Sequence, residues 1–529
     1  MFRRACLIFV LPVLLSPLSA LAQEPAPAPA TDPLPDTLAD TLSARAPERS
    51  DRASRERDDA PDFASPFLQP GHWVVDAVRR LYALGLVDAG YDRATRTPTR
   101  REVALALEEA VRRAREDAEA YVALAEGYRD RFAEEYPNTM AEVTDEVGAG
   151  LRLGDGQALG GLEVGRGRVL PGAGYTDENW TGPTALEDEA SPAGAALWSV
   201  QYFPAVAVAV APAWDTDGWS LGDGYATAVW RSAGVWLGRR PIGSSAGAGG
   251  GVVLDGALPF VGGGLYLADP VILPGFLRHL GPLRFETFLS RVDGSGPVAR
   301  PWFWGARAVI DPHPRLELGI TRAAMFGGEG ENRMSVKNLA YLIVGKHAGD
   351  GSQFDNQIFA IDLWYRLPLG GLPLAAYVEW GFEDSSGAWR DTPGIVTGLE
   401  LPAVPGLPSV ALGLERASFS ESCCGNPIWY RHWWFEGGWT DGGEPLGHPL
   451  GGDGSEWLLW TVTEMAQARV RLSGELFRRE RGSENLFSPD RAGTSVGGTV
   501  GIEFRPVPRF DVVLRGAHES GDGGWSESN

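Results

Sequence analysis

The residues best equipped for chemistry in this chain are ones that could hold a sugar polymer. Sugar recognition needs aromatic faces to lie on C–H-rich rings, and planar carboxylate, amide or guanidinium groups to take paired hydroxyls. The run Trp429, Tyr430, Arg431, His432, Trp433 and Trp434 supplies both kinds, and Asn356, Asp384 and Arg390 add polar groups. The other use of such aromatics is a girdle at a lipid boundary, and the sequence leaves both readings open. A second set comprises Arg307, Glu317, Arg322, Asp362, Glu379 and Glu415. These lie on segments of alternating polarity, where lumen charges and wall-stiffening ion pairs are the expected use.

Signals for catalysis fail on inspection. Gly243-Ser-Ser245-Ala-Gly247 fits the G-x-S-x-G string, but it runs into more glycine rather than from a strand into a helix. Glu383 and Asp384 are neighbours on a strand pattern, so they point to opposite faces and cannot flank one glycosidic bond. Asp215-Thr-Asp217-Gly218 lacks the downstream glutamate of a calcium loop. Seven scattered histidines form no metal cluster, and neither cofactor nor catalytic residue is expected.

Composition narrows the class. Residues 1–22 read as a secretory signal peptide, with Arg3 and Arg4 before an apolar core and Ala20-Leu21-Ala22 as the cleavage site. Cys6 would leave with it. The adjacent Cys423 and Cys424 cannot close a stabilising loop. A formal net charge of −22 excludes nucleic acid as a partner. Residues 23–62 are rich in Pro and Ala with little to bury, which predicts a disordered linker.

Residues 63–137 turn helical in period. Trp73, Val74, Ala77, Val78, Leu81 and Leu84 form one stripe that ends at Gly85. Thr99 and Glu102 form a capping box ahead of Val103, Leu107, Ala110, Val111 and Ala114. The pattern His72-Trp73 … Gly85-Leu86 … Pro98-Thr99-Arg100-Arg101-Glu102 resembles an S-layer-homology module, over residues 66–111. That resemblance implies a cell-wall polymer as partner. The plain alternative is a helical segment that plugs or caps a barrel.

From 146 to 529 the period is two. Leu374, Ala376, Val378, Trp380 and Phe382 lie opposite Tyr377, Glu379 and Glu383, and similar segments recur to the last strand, expected to stop near Ala517. Charges of both signs on the polar face would be costly in a sandwich core but suit a wet lumen. Aromatic clusters near strand ends, as at Trp302-Phe303-Trp304, suit lipid interfaces. The fold class predicted is an all-β transmembrane barrel of about 18 antiparallel strands with an N-terminal α-helical periplasmic segment.

The order of motifs along the barrel resembles the Wzi-type capsule-assembly family. It is carried by Trp236-Leu-Gly-Arg-Arg240, Phe276-Leu-Arg-His-Leu-Gly-Pro282 and Trp304-Gly-Ala-Arg307. Met325-Phe-Gly-Gly-Glu-Gly330, Trp429-Tyr-Arg-His432 and Leu446-Gly-His-Pro-Leu-Gly-Gly-Asp453 follow. The resemblance implies an eighteen-stranded outer-membrane barrel that acts as a lectin for capsular or other surface polysaccharide, without catalysis or cofactor. Outer-membrane lipid would surround it. A passive porin tethered by its helical segment is the alternative function.

Overall fold

The computed structural model describes residues 64–87, 90–144, 152–153, 157–163, 191–201, 205–215, 218–255, 258–293, 298–329 and 355–383. It continues with 393–419, 429–432, 435–465, 467–486, 488, 491–507, 510–522 and 526–528. The expected signal peptide, linker and barrel start at 146 lie outside these residues, as do Cys423, Cys424, Trp433, Trp434, Asp384 and Arg390.

Among the described residues four helices come first: α1 (Trp73–Leu84), α2 (Arg100–Asp117), α3 (Val122–Glu135) and α4 (Pro137–Val143). Gly85 ends α1 in the left-handed conformation, at φ 81°. Thr99 caps α2 by accepting the Glu102 N–H at 3.2 Å, and the Glu102 carboxylate takes the Thr99 N–H in return. All five apolar residues of the α2 stripe are buried. The helical segment runs past 137 to residue 143, which corrects the expected boundary. Pro137 reads as a breaker in sequence but stands at the start of α4, where its missing N–H costs nothing.

One antiparallel sheet follows, in which successive long strands pair in sequence order. It opens with β1 (Gln157–Glu163), β2 (Ser191–Gln201), β3 (Val206–Asp215), β4 (Gly218–Trp230), β5 (Ala233–Pro241) and β6 (Pro259–Leu267). The next six are β7 (Pro282–Arg291), β8 (Trp302–His313), β9 (Leu316–Phe326), β10 (Asp355–Arg366), β11 (Ala375–Glu383) and β12 (Gly394–Leu401). The meander ends with β13 (Val410–Phe419), β14 (Gly454–Met465), β15 (Val470–Arg481), β16 (Gly493–Val507), β17 (Phe510–Gly521) and β18 (Ser526–Ser528). Two-residue segments at Arg152–Leu153 and Val271–Ile272 pair with β2 and β7. The strand expected to stop near Ala517 continues to Gly521, because residues up to 521 still pair with β16.

Burial alternates along the wall as the period of two requires. In β11 the odd positions, including Tyr377, Glu379 and Glu383, are buried, and Ala376, Val378, Trp380 and Phe382 lie outward. Outward residues such as Leu237, Leu265, Ile320, Ile361, Leu459 and Leu476 are exposed and apolar, which only a lipid surround rewards. No helix among the described residues is long and apolar enough to cross a membrane.

The two ends of the barrel differ. At one end the connections at 231–232, 314–315, 367–374, 402–409, 466–469 and 508–509 are short, with 268–281 the exception, and at the other those at 242–258, 292–301, 420–453 and 482–492 are long, with 216–217 the exception. Bacterial barrels put short turns in the periplasm and long loops outside, which orients every strand. The helices lie at the short-turn end. Arg80 donates to the carbonyls of Pro402 and Pro408 at 2.7 and 2.8 Å, and Arg131 donates to Ala468 O at 3.0 Å. The helical segment therefore caps the short-turn end of the barrel.

Candidate functional site

The extracellular end is closed by an aromatic floor. Trp429 and Tyr430 are fully buried, and both pack on Phe419 with ring centroids 5.4 Å apart. Tyr430 adopts a left-handed backbone at φ 65°, a strain that its surroundings hold in place. Its N–H donates to both carboxylate oxygens of Glu383, at 3.1 and 3.0 Å. Its hydroxyl donates to Val252 O at 2.7 Å and accepts the His448 N–H at 3.0 Å. A Cβ on Gly381 or Gly394 would lie 3.1 or 2.8 Å from the Trp429 ring, so glycine makes room for the indole. Beside it, Trp439 donates from Nε1 to Val253 O at 2.9 Å and meets Phe303 edge-on at 5.4 Å.

These contacts correct two expectations. Trp429 and Tyr430 are neither sugar platforms nor a lipid girdle, because the loop folds them inward, away from both solvent and lipid. Asn356 takes an inward position with no exposure, and so cannot meet an external polymer. Among the described residues of the aromatic clusters, Trp302 and Trp304 take outward positions at the extracellular rim, with Phe303 inward between them.

Beneath the floor, the lumen is filled from both sides. The loop after β5 descends from outside and meets residues 90–99, which rise from the helical cap. Arg96 N–H donates to Gly243 O at 3.0 Å, and Ser245 N–H donates to Ala94 O at 2.8 Å. Glu415 accepts the N–H groups of Ala248 and Gly249 and the Tyr377 hydroxyl, at 2.7, 3.0 and 2.6 Å. Glu379 accepts Val252 N–H at 3.0 Å. The Arg79 and Arg93 guanidiniums donate to the carbonyl of Ala246 at 3.2 and 3.0 Å. Ser245, once the middle of the G-x-S-x-G string, is buried and its hydroxyl donates to Gly247 O.

The lumen charges thus do different work from the ion pairs expected. Glu379 and Glu415 hold the loop backbone, and Glu317 accepts the Arg93 N–H at 3.0 Å. Arg307 does form ion pairs, with Asp362 at 2.7 Å and with Asp92 of the cap at 2.9 Å. Arg322 lies on the outer face and donates to Gln357. Sequence reasoning missed the lumen loop, although the run Gly247 to Gly251 marks a backbone that other groups approach closely. A Cβ on Gly247 or Gly249 would lie 2.4 or 2.8 Å from the Glu415 carboxylate. A cavity of about 70 Å³ remains between residues 92–102 and strands β6 to β9. It has room for a few waters.

The polar groups left at the outer surface are loop residues. Arg431 donates to Glu484 O at 2.7 Å and stays partly exposed. His432 lies 5.2 Å from Phe435, and burial lowers its pKa to about 4, so the ring is neutral at neutral pH. A small hairpin pairs Thr440 with Pro445 and Asp441 with Glu444. Asp441 anchors it by accepting the Asp293 N–H at 2.7 Å. Glu436 and Glu484 are exposed beside them. Of the residues expected to bind glycan, Arg431 and His432 alone are both described and reachable. Among the described residues, no cluster of His, Cys, Asp and Glu could hold a metal ion.

Comparison with known proteins places this architecture. The pattern of the family "capsule assembly protein Wzi" matches residues 123–522. Among solved structures, Wzi of Escherichia coli aligns with a TM-score of 0.64 at 18% identity, covering 88% of this chain and 97% of that one. That protein is described as an outer-membrane protein involved in group 1 capsule assembly and a carbohydrate-binding β-barrel. OpdQ of Pseudomonas aeruginosa aligns at a TM-score of 0.41 and 11% identity, over 72% of this chain and 94% of its own. An uncharacterized 55.8 kDa protein in the cps region of Klebsiella pneumoniae is 27% identical over 113 residues, 21% of this chain. The chain spans 22% of that relative's length in the match.

Proposed function

Because the chain belongs to the capsule assembly protein Wzi family, we propose that it is an outer-membrane lectin that binds capsular or other surface polysaccharide and supports capsule assembly or attachment. Binding is non-catalytic and uses the extracellular loop face, where Arg431 and His432 stand with Glu436 and Glu484. Guanidinium and carboxylate groups of this kind take paired hydroxyls. The observation that carries the reading is the lumen itself. It is filled by residues 90–99 and 242–255, so a polymer has a face to lie on and no channel to enter.

The same filling argues against a passive porin. It also weakens the wall-tether reading, since Trp73 is buried and donates to Glu135 Oε2 at 2.9 Å inside the cap. The test is binding of the folded, full-length protein to polysaccharide isolated from its own cell surface, beside an Arg431→Ala/His432→Ala variant. Retained affinity in wild type and a several-fold loss in the variant support the proposal. No binding, with steady conductance in a planar bilayer, would leave the porin.

A further inference from the structure

Among the described residues of β5 to β16, the outward face of the barrel wall carries charge only near its extracellular rim. Along the outward positions of β5 to β16, the charged residues are Arg239, Arg291, Arg322, Asp355, Arg416, Arg478 and Glu480. Each stands within the last few residues at the long-loop end of its strand, and the rest of that face is apolar or uncharged. The excess is basic, on a chain whose net charge is −22. Arginine is costly against hydrocarbon and favourable against an anionic headgroup layer.

The arginines are set beside tryptophans. Arg416, Trp457 and Arg478 form one row across β13, β14 and β15, with Trp457 paired to both. Arg416 lies over the Trp457 ring at 4.9 Å, and Arg478 also pairs with Glu480 at 2.8 Å. Strand spacing puts the two guanidinium stems roughly 10 Å apart on either side of the indole. Around the wall, Arg291 lies 3.8 Å over Trp302, and Arg322 lies 5.8 Å from Trp304. Trp304 donates to Thr287 Oγ1 at 3.0 Å, which fixes the ring's orientation. Indoles anchor at the boundary between acyl chains and headgroups, and guanidinium forks bind phosphate in two parallel hydrogen bonds.

We propose that this rim binds phosphate-bearing glycolipid of the outer leaflet, with Arg416, Trp457 and Arg478 as one site and Arg291, Trp302, Trp304 and Arg322 as a second. The inference rests on the outer-membrane placement but not on polysaccharide binding. The sites hold the barrel at a fixed depth and leave the loop face clear above the headgroups.

The test uses full-length protein reconstituted in phosphatidylcholine vesicles containing lipid A, or lipid A stripped of its phosphates, then extracted in detergent. Native mass spectrometry counts the lipid retained. Wild type should keep phosphorylated lipid A at both sites, and Arg416→Gln/Arg478→Gln should lose about half of it, as affinity at that one site falls roughly tenfold or more, from about a few-fold per arginine. Arg416→Lys/Arg478→Lys should hold an intermediate amount, because charge remains while the fork is lost. All variants should fold, as judged by the heat-dependent gel shift, and should bind polysaccharide like wild type. Equal retention of the stripped lipid, or unchanged retention in the Gln variant, would overturn the proposal. Loss of polysaccharide binding in wild type would sink the lectin reading and leave this one standing.

Discussion

The guanidinium of Arg307 meets the carboxylate of Asp92 through two parallel hydrogen bonds, of 2.9 and 3.0 Å. The same side chain reaches Asp362 on the neighbouring face of the lumen at 2.7 and 3.1 Å. One wall arginine therefore ties a cap residue to a strand two positions away in the meander. A fork that binds two carboxylates leaves both uncompensated when it is removed.

Arg307→Ala should accordingly destabilise docking of the cap by about 3–5 kcal/mol, the range for breaking a buried ion pair. Hydrogen exchange should rise in residues 90–99, and single-channel recordings should show conductance that wild type lacks. The strand amides should stay protected. A silent variant in both measurements would mean that the remaining cap contacts carry the docking.

Glu415→Gln should release the lumen loop from the wall. The carboxylate takes three donors, and an amide would turn an N–H toward at least one of them. Leaving a buried donor unsatisfied costs about 1–3 kcal/mol. Limited proteolysis between residues 242 and 258 should quicken while the barrel core resists. Unchanged cleavage would show that Glu379 suffices to hold the loop.

Acid should open the molecule in a fixed order, outer loops before cap. Burial lowers His448 to about 4, below an ordinary histidine at 6.5, and Leu450 N–H occupies its Nδ1 at 3.2 Å. The open loop binds the proton more readily, so stability is present above about 6.5 and falls away as pH drops toward 4, by about 3 kcal/mol. Glu135 behaves as a depressed acid. Burial would raise it, but the charge and hydrogen bond of His72, with Arg505 and the Trp73 N–H, hold it at about 2. Its contribution is therefore present above the ordinary 4.5 and is lost only as pH falls toward 2. Hydrogen exchange at stepped pH should show residues 439–453 opening near pH 5 while α1 and α3 remain protected. Simultaneous release would refute the ordering.

Trp429→Ala should cost about 3–5 kcal/mol by emptying a fully enclosed indole site. Polysaccharide binding should weaken through loss of loop order, and the near-ultraviolet circular dichroism should change with it. Arg431→Ala should weaken binding and leave that spectrum intact. If Trp429→Ala left the spectrum and melting temperature unchanged, the floor would not depend on this residue.

The sequence by itself determined what local pattern can determine. Period two in Leu374–Glu383 assigned each side chain to its face, because a strand has only two. The Gly85 stop and the Thr99 cap were legible because they satisfy backbone groups within a few residues. Motif order pointed to the family. What tertiary structure decided was where the long connections go. On sequence alone Trp429 could serve a sugar or a lipid boundary, but whether a loop folds outward or inward depends on partners distant in sequence, such as Phe419 and Gly381 for Trp429 and Glu383 for Tyr430. Glu379 and Glu415 pointed into the lumen by alternation alone, yet their partners are amides from residues 246–252, more than a hundred positions away. Orientation also emerged only from the assembled chain, when short turns and long loops sorted to opposite ends. Periodicity assigns a side chain its direction; only closure of the barrel around its cap and loops decides what stands opposite it.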